Sequence, residues 1–406
     1  MDAIDLVLTE FDDEKMNDIC SFSRPYSADM QQKTEYLRQR VCNKTKEQIL
    51  QIPEFKQIHN EYITGIAECI NEMCQINNID KTTIDAIGFH GKTLDHNPPS
   101  KAAKEHSSPY TLQIGSGKML ADLTQIPVIY DFRSDYLMNG FEGAPLAPPH
   151  NARIAATEGS GCYFNGGNTS NFSIVSENKA LFGSDCGPFN EYTDNYVRQQ
   201  KNQPYDKDGI FGSQGNLDVK MLQFLFASGQ EYYETPLPKS GDPAYYHKAA
   251  IFDYVQQNNI PFADAIRTFE YFAAYIAVYS LSMIPPNIIL PSRMILFGGG
   301  WKNPVVKQSF AALLNGTAFI LPEHQEKFRA LSARFSKKCE IKTSDFGDFM
   351  EARLFADLAY HKLENKIWPI PEIMNSDNKI VCGRIAYPSN NQRIYDDYLS
   401  RAAKTI

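Results

Sequence analysis

The sequence predicts an α/β protein with two lobes and a ligand cleft between them. A chain of 406 residues exceeds what one hydrophobic core usually supports, so two domains are expected. In both halves, short apolar strands run into glycine turns and are followed by helices, as at Ile84–Phe89 and Met294–Phe297. This repeated order favours a duplicated α/β architecture, whose cleft is the expected ligand site.

Composition and charge exclude several classes of function. The net charge of −8 argues against nucleic acid as the main partner, because phosphate binding requires a basic surface. The chain starts at Met1-Asp2 with no signal-peptide pattern, and the nearly uncharged run Tyr271–Ile284 is too short to span a bilayer. The eight cysteines show no metal-ligand spacing. We therefore expect a cytoplasmic protein that does not contact a membrane.

Hydrophobic periodicity predicts the elements of the first half. Apolar residues from Phe55 to Met73 recur at three-to-four spacing, which is typical of an amphipathic helix. Gly115–Lys118 does not form a phosphate-binding P-loop, because Leu112 and Met119 stand where that motif requires glycine and Ser or Thr. The other predicted elements are strands at Ile4–Phe11, Ile84–Phe89, Thr111–Ile114 and Val128–Phe132, a helix at Ser27–Arg40 and a polar loop at Asn97–Ser108.

The second half repeats the order of strand followed by glycine. Strands at Cys162–Phe164 and Met294–Phe297 lead into Asn165-Gly166-Gly167-Asn168 and Gly298-Gly299-Gly300. Glycine turns that converge from several strands can bind phosphates, although any one of them can also be purely structural. The predicted helices are Pro261–Ile284, which is buried, and Asp348–Leu363, with Ala352, Phe355, Ala356 and Ala359 on its inner face.

Gly183–Asn190 contains the carboxylate most suited to catalysis. Asp185 stands among small residues, after an apolar segment that ends at Leu181-Phe182 and before a helix that starts near Asn190. A carboxylate at such a strand–turn–helix junction can act as a general base. The alternative is an aspartate that caps the following helix.

Several motifs in order along the chain resemble those of one family. Ile87–Thr93 looks like I-G-C-H-G-Q-T, and Thr111–Gly115 is similar to T-L-Q-I-G. Asp185–Asn190 lines up with D-T-G-P-G-N. The remaining matches are Asp131–Arg133 with Glu142–Leu146, Tyr205–Gly209, Pro238–Ser240, Gly298–Gly300 with Asn303-Pro304, and Met350–Ala352. Together they resemble the 1,6-anhydro-N-acetylmuramic acid kinases.

The resemblance implies a fold and a reaction. The fold is a two-lobed actin-like ATPase, a duplicated RNase H-like α/β architecture shared with sugar kinases and heat-shock chaperones. Enzymes of this kind open the internal ether of the anhydro-sugar with water and phosphorylate its 6-oxygen from ATP with Mg²⁺, in bacterial cell-wall recycling. The position of Asp185 would be the general base. A homodimer is also implied, with ATP and an amino sugar as ligands.

By the same resemblance, further residues would bind the two substrates. Arg133 could pair with the lactyl carboxylate of the sugar, or could instead form a domain-closing ion pair. His90 is as easily a core histidine as a ligand contact, and Glu351 could be a structural acid of a first helical turn. The sugar-side residues are His90, Gly91, Lys92, Thr93, Arg133, Glu142 and Glu351. The ATP-side residues are Asp2, Asp5, Asn165, Gly167, Gly187, Asn190, Gly298, Gly299, Gly300 and Asn303.

The predicted lobes divide the chain near Arg133. Residues 1–133 form the N-terminal lobe, residues 134–365 form the C-terminal lobe, and segment 366–406 packs back on the first lobe.

The family's first strand and its loop G-x-M-S-G-T-S precede the segment that matches Met1–Asp5. A mis-assigned start codon or a truncated gene would each explain this difference. We expect the missing central strand to leave unpaired ladder groups and to remove donors to the ATP phosphates.

Departures inside the motifs keep a second function open. Glu142 replaces glutamine, Phe189 replaces glycine beside Asp185, and Pro238–Pro243 lacks the family's arginine. The alternative to a working kinase is a catalytically impaired relative that binds sugar or nucleotide without turnover. A general ATPase without sugar specificity is a third reading, which the Arg133 and Gly143–Pro145 region disfavours.

Overall fold

The computed structural model describes residues 3–12, 15–41, 44, 46–104, 106–241, 243–335, 339–371 and 380–389. By its internal contacts the chain divides into two compact units. Unit 1 comprises Met1–Gly143, Glu351–Trp368 and Asn375–Ile406, and unit 2 comprises Ala144–Met350 and Pro369–Met374. The chain is α/β with two units, as the fold class predicted, and the assignment of lobes with a ligand cleft stays a prediction.

Strands and helices are interspersed along the chain. The strands are β1 Ala3–Phe11, β2 Met16–Pro25, β3 Ile87–Phe89, β4 Lys92–Asn97, β5 Tyr110–Ile114, β6 Val128–Tyr130, β7 Gly161–Gly166, β8 Thr169–Ser176, β9 Lys179–Pro188, β10 Arg293–Phe297, β11 Glu340–Thr343 and β12 Arg384–Ala386. The helices are α1 Ala28–Val41, α2 Lys46–Leu50, α3 Phe55–Ile76, α4 Pro99–Lys104, α5 Gly117–Thr124, α6 Ser134–Met138, α7 Ala147–Glu158, α8 Glu191–Lys201, α9 Val219–Ser228, α10 Gln230–Tyr233, α11 Lys248–Gln257, α12 Phe262–Ser282, α13 Pro304–Leu314, α14 Gln325–Arg334 and α15 Met350–Leu363.

The described strands of unit 1 form three small sheets. β1 and β2 form an antiparallel hairpin, β4 and β5 form a second, and β3 pairs with β6, which pairs in turn with β12. Helix α3 buries one apolar face, including Ile63 and Ile66, in a core that also contains Phe89 and Val128. Among the described strands, β1 pairs with β2 alone and β3 with β6 alone. The expectation that a missing central strand leaves ladder groups unpaired stays a prediction.

Unit 2 is built on a five-stranded sheet in the order β11-β10-β7-β8-β9. β10 runs parallel to β7, and β7, β8 and β9 are antiparallel neighbours. Because β7 and β10 are parallel and Phe297 pairs with Asn165, the turns that follow the two strands lie at the same edge of the sheet. This relationship brings together the two glycine turns that the sequence singled out.

Helix α12 is the centre of the unit 2 core. Its residues from Tyr271 to Leu281 are all at most 3% exposed, and the helix contacts α8, α9, α13, α14 and β9. A helix that is apolar on all sides is expected to be buried rather than amphipathic. The prediction of a buried helix at this position is confirmed. No helix among the described residues is long and apolar enough to cross a membrane.

Three element predictions for unit 1 were incomplete. Strand β2 was not predicted, although the alternation of Cys20, Phe22 and Arg24 with serines is a period-two signal. The loop at His90–Thr93 is shorter than predicted, because Lys92 and Thr93 already belong to β4. The loop at Asn97–Ser108 contains helix α4, and short polar helices of this kind lack the apolar periodicity on which the prediction depended.

Candidate active site

Asp185 lies on β9, the edge strand of the unit 2 sheet. Its backbone N–H donates to the carbonyl oxygen of Lys239 at 3.0 Å, so the loop that carries Lys239 continues the ladder beyond the edge strand. The backbone N–H of Gly241 donates to Asp185 Oδ2 at 2.5 Å. The side chain is half-buried. A carboxylate that is oriented by a backbone donor and still reaches solvent has the geometry of a general base.

Asp185 is not a helix cap. Helix α8 begins at Glu191 with Asn190 as its N-cap residue, while Asp185 pairs with Asn171 inside the sheet. The prediction of a turn around Asp185 is therefore wrong, although the predicted helix start at Asn190 is confirmed. The glycines that suggested a turn serve close packing instead. A Cβ at Gly183 would lie 2.5 Å from Pro148, and one at Gly187 would lie 2.8 Å from Ile276.

Lys239 is a buried residue behind Asp185 that the sequence reading did not assign to the site. Its Nζ donates to the carbonyl oxygens of Tyr232 at 2.8 Å and Tyr233 at 2.9 Å, and lies 4.5 Å from the centre of the Tyr232 ring. Burial lowers the pKa of Lys239 to about 8, against the opposing effects of Cys186 and Asp185. Its backbone N–H donates to Ser184 Oγ at 3.0 Å. Lys239 thus anchors the loop that orients Asp185, and the Pro-Lys-Ser motif was the available signal.

The predicted ATP-side residues of unit 2 converge at one edge of the sheet. Gly298, with a φ of 91°, follows β10, and a Cβ there would lie 2.5 Å from Asn165 Oδ1 at the end of β7. Gly299 is exposed, and nothing lies within 4 Å of the position of its Cβ. Gly167 is also partly exposed. These turns therefore present accessible backbone at which a phosphate group could bind.

Strand β9 connects Asp185 to these glycine turns. The backbone N–H of Asn190 donates to the carbonyl oxygen of Gly167 at 3.1 Å. A Cβ at Gly300 would lie only 2.4 Å from Asn190 Oδ1, so glycine is needed for the two turns to meet. Phe189 is buried, with its ring centre 4.6 Å from that of Trp301. The departure at Phe189 is accommodated in the core by this aromatic contact.

Asn303 completes the ATP-side group of unit 2. Its Oδ1 accepts from the backbone N–H groups of Val305 at 2.9 Å and Val306 at 3.4 Å, which makes it the N-cap of α13. Its backbone N–H donates to the carbonyl oxygen of Gly300 at 3.2 Å.

Of the two ATP-side residues assigned to unit 1, Asp5 is exposed on β1 and accepts from Ser23 Oγ at 2.7 Å. Asp2 lies outside the described residues.

In unit 1, Arg133 and His90 form a hydrogen-bonded pair. Arg133 Nε donates to His90 Nε2 at 3.0 Å, and Arg133 Nη1 donates to the carbonyl oxygen of Gly143 at 2.6 Å. His90 Nδ1 donates to the carbonyl oxygen of Gly91 at 2.9 Å, and the ring stacks on Phe355. Burial, followed by the neighbouring Arg133 charge, holds the pKa of His90 well below its usual value. His90 is therefore a neutral acceptor that orients the guanidinium group.

The other residues of the His90–Thr93 segment contact neighbouring elements of unit 1. Gly91 has a φ of 77°, and a Cβ there would lie 2.5 Å from the carbonyl oxygen of Ile114. Lys92 Nζ donates to Thr34 Oγ1 on α1 at 3.0 Å. Thr93 Oγ1 accepts from Gln113 Nε2 at 3.3 Å across the β4–β5 hairpin. Lys92, which replaces a glutamine of the family motif, thus contacts α1.

The two acidic residues predicted to contact the sugar differ in their surroundings. The Glu142 carboxylate accepts from the backbone N–H of Ser100 at 3.1 Å and from Ser100 Oγ at 2.7 Å, in the first turn of α4. Glu351 is exposed in the first turn of α15. Acidic residues are favourable at both positions because they face the positive end of a helix dipole. The structural interpretation of Glu351 therefore stays open beside the predicted sugar contact.

A cavity of about 1,060 Å³ opens in unit 1 beside the β4–β5 hairpin. Its walls include Ile49, Phe55 and Leu112, together with Thr111 and Gln113 of the predicted T-L-Q-I-G match. None of the predicted sugar-side residues lines it.

Within the part of the chain that the structure describes, no group of three or more His, Cys, Asp or Glu side chains could hold a metal ion.

Comparison with known proteins assigns the chain to the phosphotransferases. A family model described as anhydro-N-acetylmuramic acid kinase matches residues 1–388. The chain therefore belongs to the anhydro-N-acetylmuramic acid kinase family, as the sequence motifs predicted.

Several solved structures resemble the fold at low identity. Component A of the Acidaminococcus fermentans (R)-2-hydroxyglutaryl-CoA dehydratase is 10% identical, with 72% of this chain and 82% of that chain covered and a TM-score of 0.39. The activator of the Clostridium difficile 2-hydroxyisocaproyl-CoA dehydratase, with bound ADPNP, is 10% identical. The match covers 78% of this chain and 86% of that chain, with a TM-score of 0.38. A ROK family glucokinase from Streptomyces griseus, in complex with glucose and AMPPNP, is 12% identical. The match covers 87% of this chain and 98% of that chain, with a TM-score of 0.35. These likenesses are distant, and the family match is what assigns the chain.

Proposed function

We propose that this chain opens the internal ether of 1,6-anhydro-N-acetylmuramic acid with water and phosphorylates the 6-oxygen from ATP. The product is N-acetylmuramic acid 6-phosphate. The observation that carries the proposal is the placement of Asp185, a half-buried carboxylate oriented by Gly241, on the same strand that leads to the glycine turns. The reaction needs one carboxylate base and a phosphate-binding site, and the arrangement of Asp185 and the glycine turns in unit 2 supports assigning both roles there.

Asp185 would act on the attacking water. Its carboxylate takes a proton as the water oxygen bonds to the anomeric carbon, and the bond from that carbon to the 6-oxygen breaks. The 6-oxygen, which then carries the electron pair, attacks the γ-phosphorus of ATP, and ADP leaves. General-base catalysis of this kind contributes about 10²–10⁴-fold to a rate. Positioning and charge neutralisation supply the rest in phosphoryl transfer.

The residues of unit 2 fit a nucleotide better than a dedicated metal cage. Gly167 and Gly299 expose backbone, and no side-chain atom lies within 4 Å of a Cβ built at Gly299. The described residues offer no cluster of three metal ligands. Mg²⁺ usually binds through one or two carboxylates, water and substrate phosphates, so it would enter with ATP and neutralise phosphate charge. The proposal also includes a homodimer, a cytoplasmic location and a role in cell-wall recycling, all of which follow from the family.

A direct assay tests the proposal. The purified chain is incubated with Mg-ATP and 1,6-anhydro-N-acetylmuramic acid beside Asp185→Asn, and the ring-opened 6-phosphate is measured by mass spectrometry. We expect product from the wild type and a loss of about 10²–10⁴-fold in the variant. Product formation that is equal in both proteins would exclude Asp185 as the base.

The alternative of binding without turnover has support of its own. Lys92 contacts α1 and Glu142 contacts α4, so two of the departures at the predicted sugar side engage neighbouring helices. Thermal stabilisation by the sugar or by ATP, with no product from the wild type, would favour this alternative. ATP hydrolysis without sugar phosphate would instead indicate a general ATPase.

A further inference from the structure

Glu270 is a buried acid at the centre of unit 2 that the proposed reaction does not use. It lies on α12 and is 1% exposed. Its Oε1 accepts from Asn303 Nδ2 at 2.6 Å, and Asn303, three residues after Gly300, caps α13. Its Oε2 is buried, and no described residue donates a hydrogen bond to it. A negative charge on that oxygen would therefore be uncompensated.

A second loop packs against the same carboxyl group. Asp206 is 4% exposed, and its carboxylate accepts from the backbone N–H groups of Phe211 at 3.0 Å and Gly212 at 2.9 Å. Gly212 approaches so closely that a Cβ there would lie 1.8 Å from Glu270 Oε2. A Cβ at Gly209 would lie 2.7 Å from Asn303 Oδ1. The loop Asp206–Gly212 therefore lies directly on Glu270 and Asn303.

The protonation state of Glu270 decides whether this packing is favourable. Burial, followed by the negative charge of Asp206, raises the pKa of Glu270 to about 8, while Asn303 and Arg267 act in the opposite direction. Asp206 on the loop and Arg267 on α12 are the charged groups that act on it. At neutral pH the neutral acid can offer its proton toward Asp206. Above pH 8 two carboxylates would face each other in a buried site.

We infer that Glu270 is a positioning residue for ATP, because it joins the loop Asp206–Gly212 to Asn303 and so fixes the Gly298–Gly300 turn. This inference rests on the proposed function, which assigns that turn to the nucleotide. Glu270 acts through Asn303 and the loop, and it does not contact the reacting atoms. It sets the affinity for ATP rather than the rate of the chemical step.

The test measures nucleotide binding without sugar. ATP is titrated by calorimetry into the wild type, Glu270→Gln and Glu270→Ala from pH 6 to pH 9.5, with circular dichroism to confirm folding. We expect the wild-type affinity to fall at least tenfold as the pH rises through about 8. Glutamine has the shape of the neutral acid and cannot ionise, so Glu270→Gln should bind as the wild type does at pH 6 and stay constant with pH. Glu270→Ala should bind at least tenfold more weakly at every pH.

Two results would overturn the inference. One is a pH dependence of Glu270→Gln equal to that of the wild type, and the other is unchanged binding in folded Glu270→Ala. A wild type that binds no ATP at any pH would remove both this inference and the proposed function. A wild type that binds ATP but forms no sugar phosphate would remove the proposed function alone, because the affinity ratios among the three proteins still decide the role of Glu270.

Discussion

The backbone N–H of Gly241 donates to Asp185 Oδ2 at 2.5 Å, so a residue outside β9 orients the proposed base. A Cβ at position 241 would lie 3.2 Å from that oxygen and 2.9 Å from Thr169 Cγ2. The loop around Lys239 is therefore part of the candidate active site as much as the strand is.

Gly241→Ala should lower kcat for sugar phosphate formation by about tenfold, since small displacements of a catalytic group cost up to about 10²-fold. The added methyl group crowds the Asp185 carboxylate at 3.2 Å and the Thr169 methyl group at 2.9 Å, so the loop that orients the carboxylate must shift. The matched control is Gly65→Ala on α3, where nothing lies within 4 Å of the new Cβ. That control should keep full activity and gain about 0.4–1 kcal/mol in the free energy of unfolding. Equal kcat values for the wild type and Gly241→Ala would contradict the prediction.

Lys239→Met should lower kcat by about 10–100-fold, because methionine cannot donate to the carbonyl oxygens of Tyr232 and Tyr233 and the loop loses its anchor. Lys220→Met, at an exposed position of α9, should have no effect on kcat. Retention of full activity in Lys239→Met would show that the anchor is dispensable.

The same lysine predicts a pH dependence of stability. The pKa of Lys239 is lowered from 10.5 to about 8 in the folded chain, so between these values the unfolded chain binds more protons than the folded chain. The free energy of unfolding therefore rises with pH in this range. Burying neutral Lys239 has no protonation cost above pH 10.5, and this advantage is lost as the pH falls toward 8. Chemical denaturation at pH 8 and pH 10 should show a rise in the wild-type free energy of unfolding relative to Lys239→Met. A constant difference between the two proteins would contradict the depressed pKa.

Arg133→Lys should raise the KM for the anhydro-sugar by about tenfold or more, with little change in the KM for ATP. A single ammonium group cannot reproduce the two directed donors that Arg133 gives to His90 and Gly143. Initial rates at saturating ATP measure the effect, and Arg384→Lys, at an exposed arginine of β12, is the control. The prediction assumes that Arg133 binds the lactyl carboxylate of the sugar. An unchanged KM for the sugar in Arg133→Lys would contradict that role.

Two adjacent glycines should differ sharply in their tolerance of alanine. Gly300→Ala places a Cβ 2.4 Å from Asn190 Oδ1 and should lower the free energy of unfolding by about 1–3 kcal/mol. Gly299→Ala meets nothing within 4 Å and should fold as the wild type does, with a weaker affinity for ATP because its methyl group enters the proposed phosphate site. Thermal melts and ATP titrations distinguish the two effects. Equal stability of the two variants would contradict the convergence of these turns.

Sequence motifs determined the family and the α/β class, and they singled out Asp185 as the candidate base. Glycine turns, apolar runs and short motifs are local patterns. They can be recognised in the sequence without knowing which residues they contact in the folded chain. The buried helix α12 and the start of α8 at Asn190 are local in the same sense. The local pattern around Asp185 is equally typical of a helix cap, and only the pairing with Asn171 in the sheet decides against it.

Tertiary structure alone decided what surrounds each candidate site residue. Gly183 and Gly187 pair with β8, and both positions require glycine because Pro148 and Ile276, distant in sequence, occupy the space of a side chain. Lys239 and Glu270 entered the site because the fold buries them beside Asp185 and Asn303, and burial is what shifts their pKa values. Desolvation and close packing depend on contacts between residues far apart in the chain, and a linear pattern does not contain them.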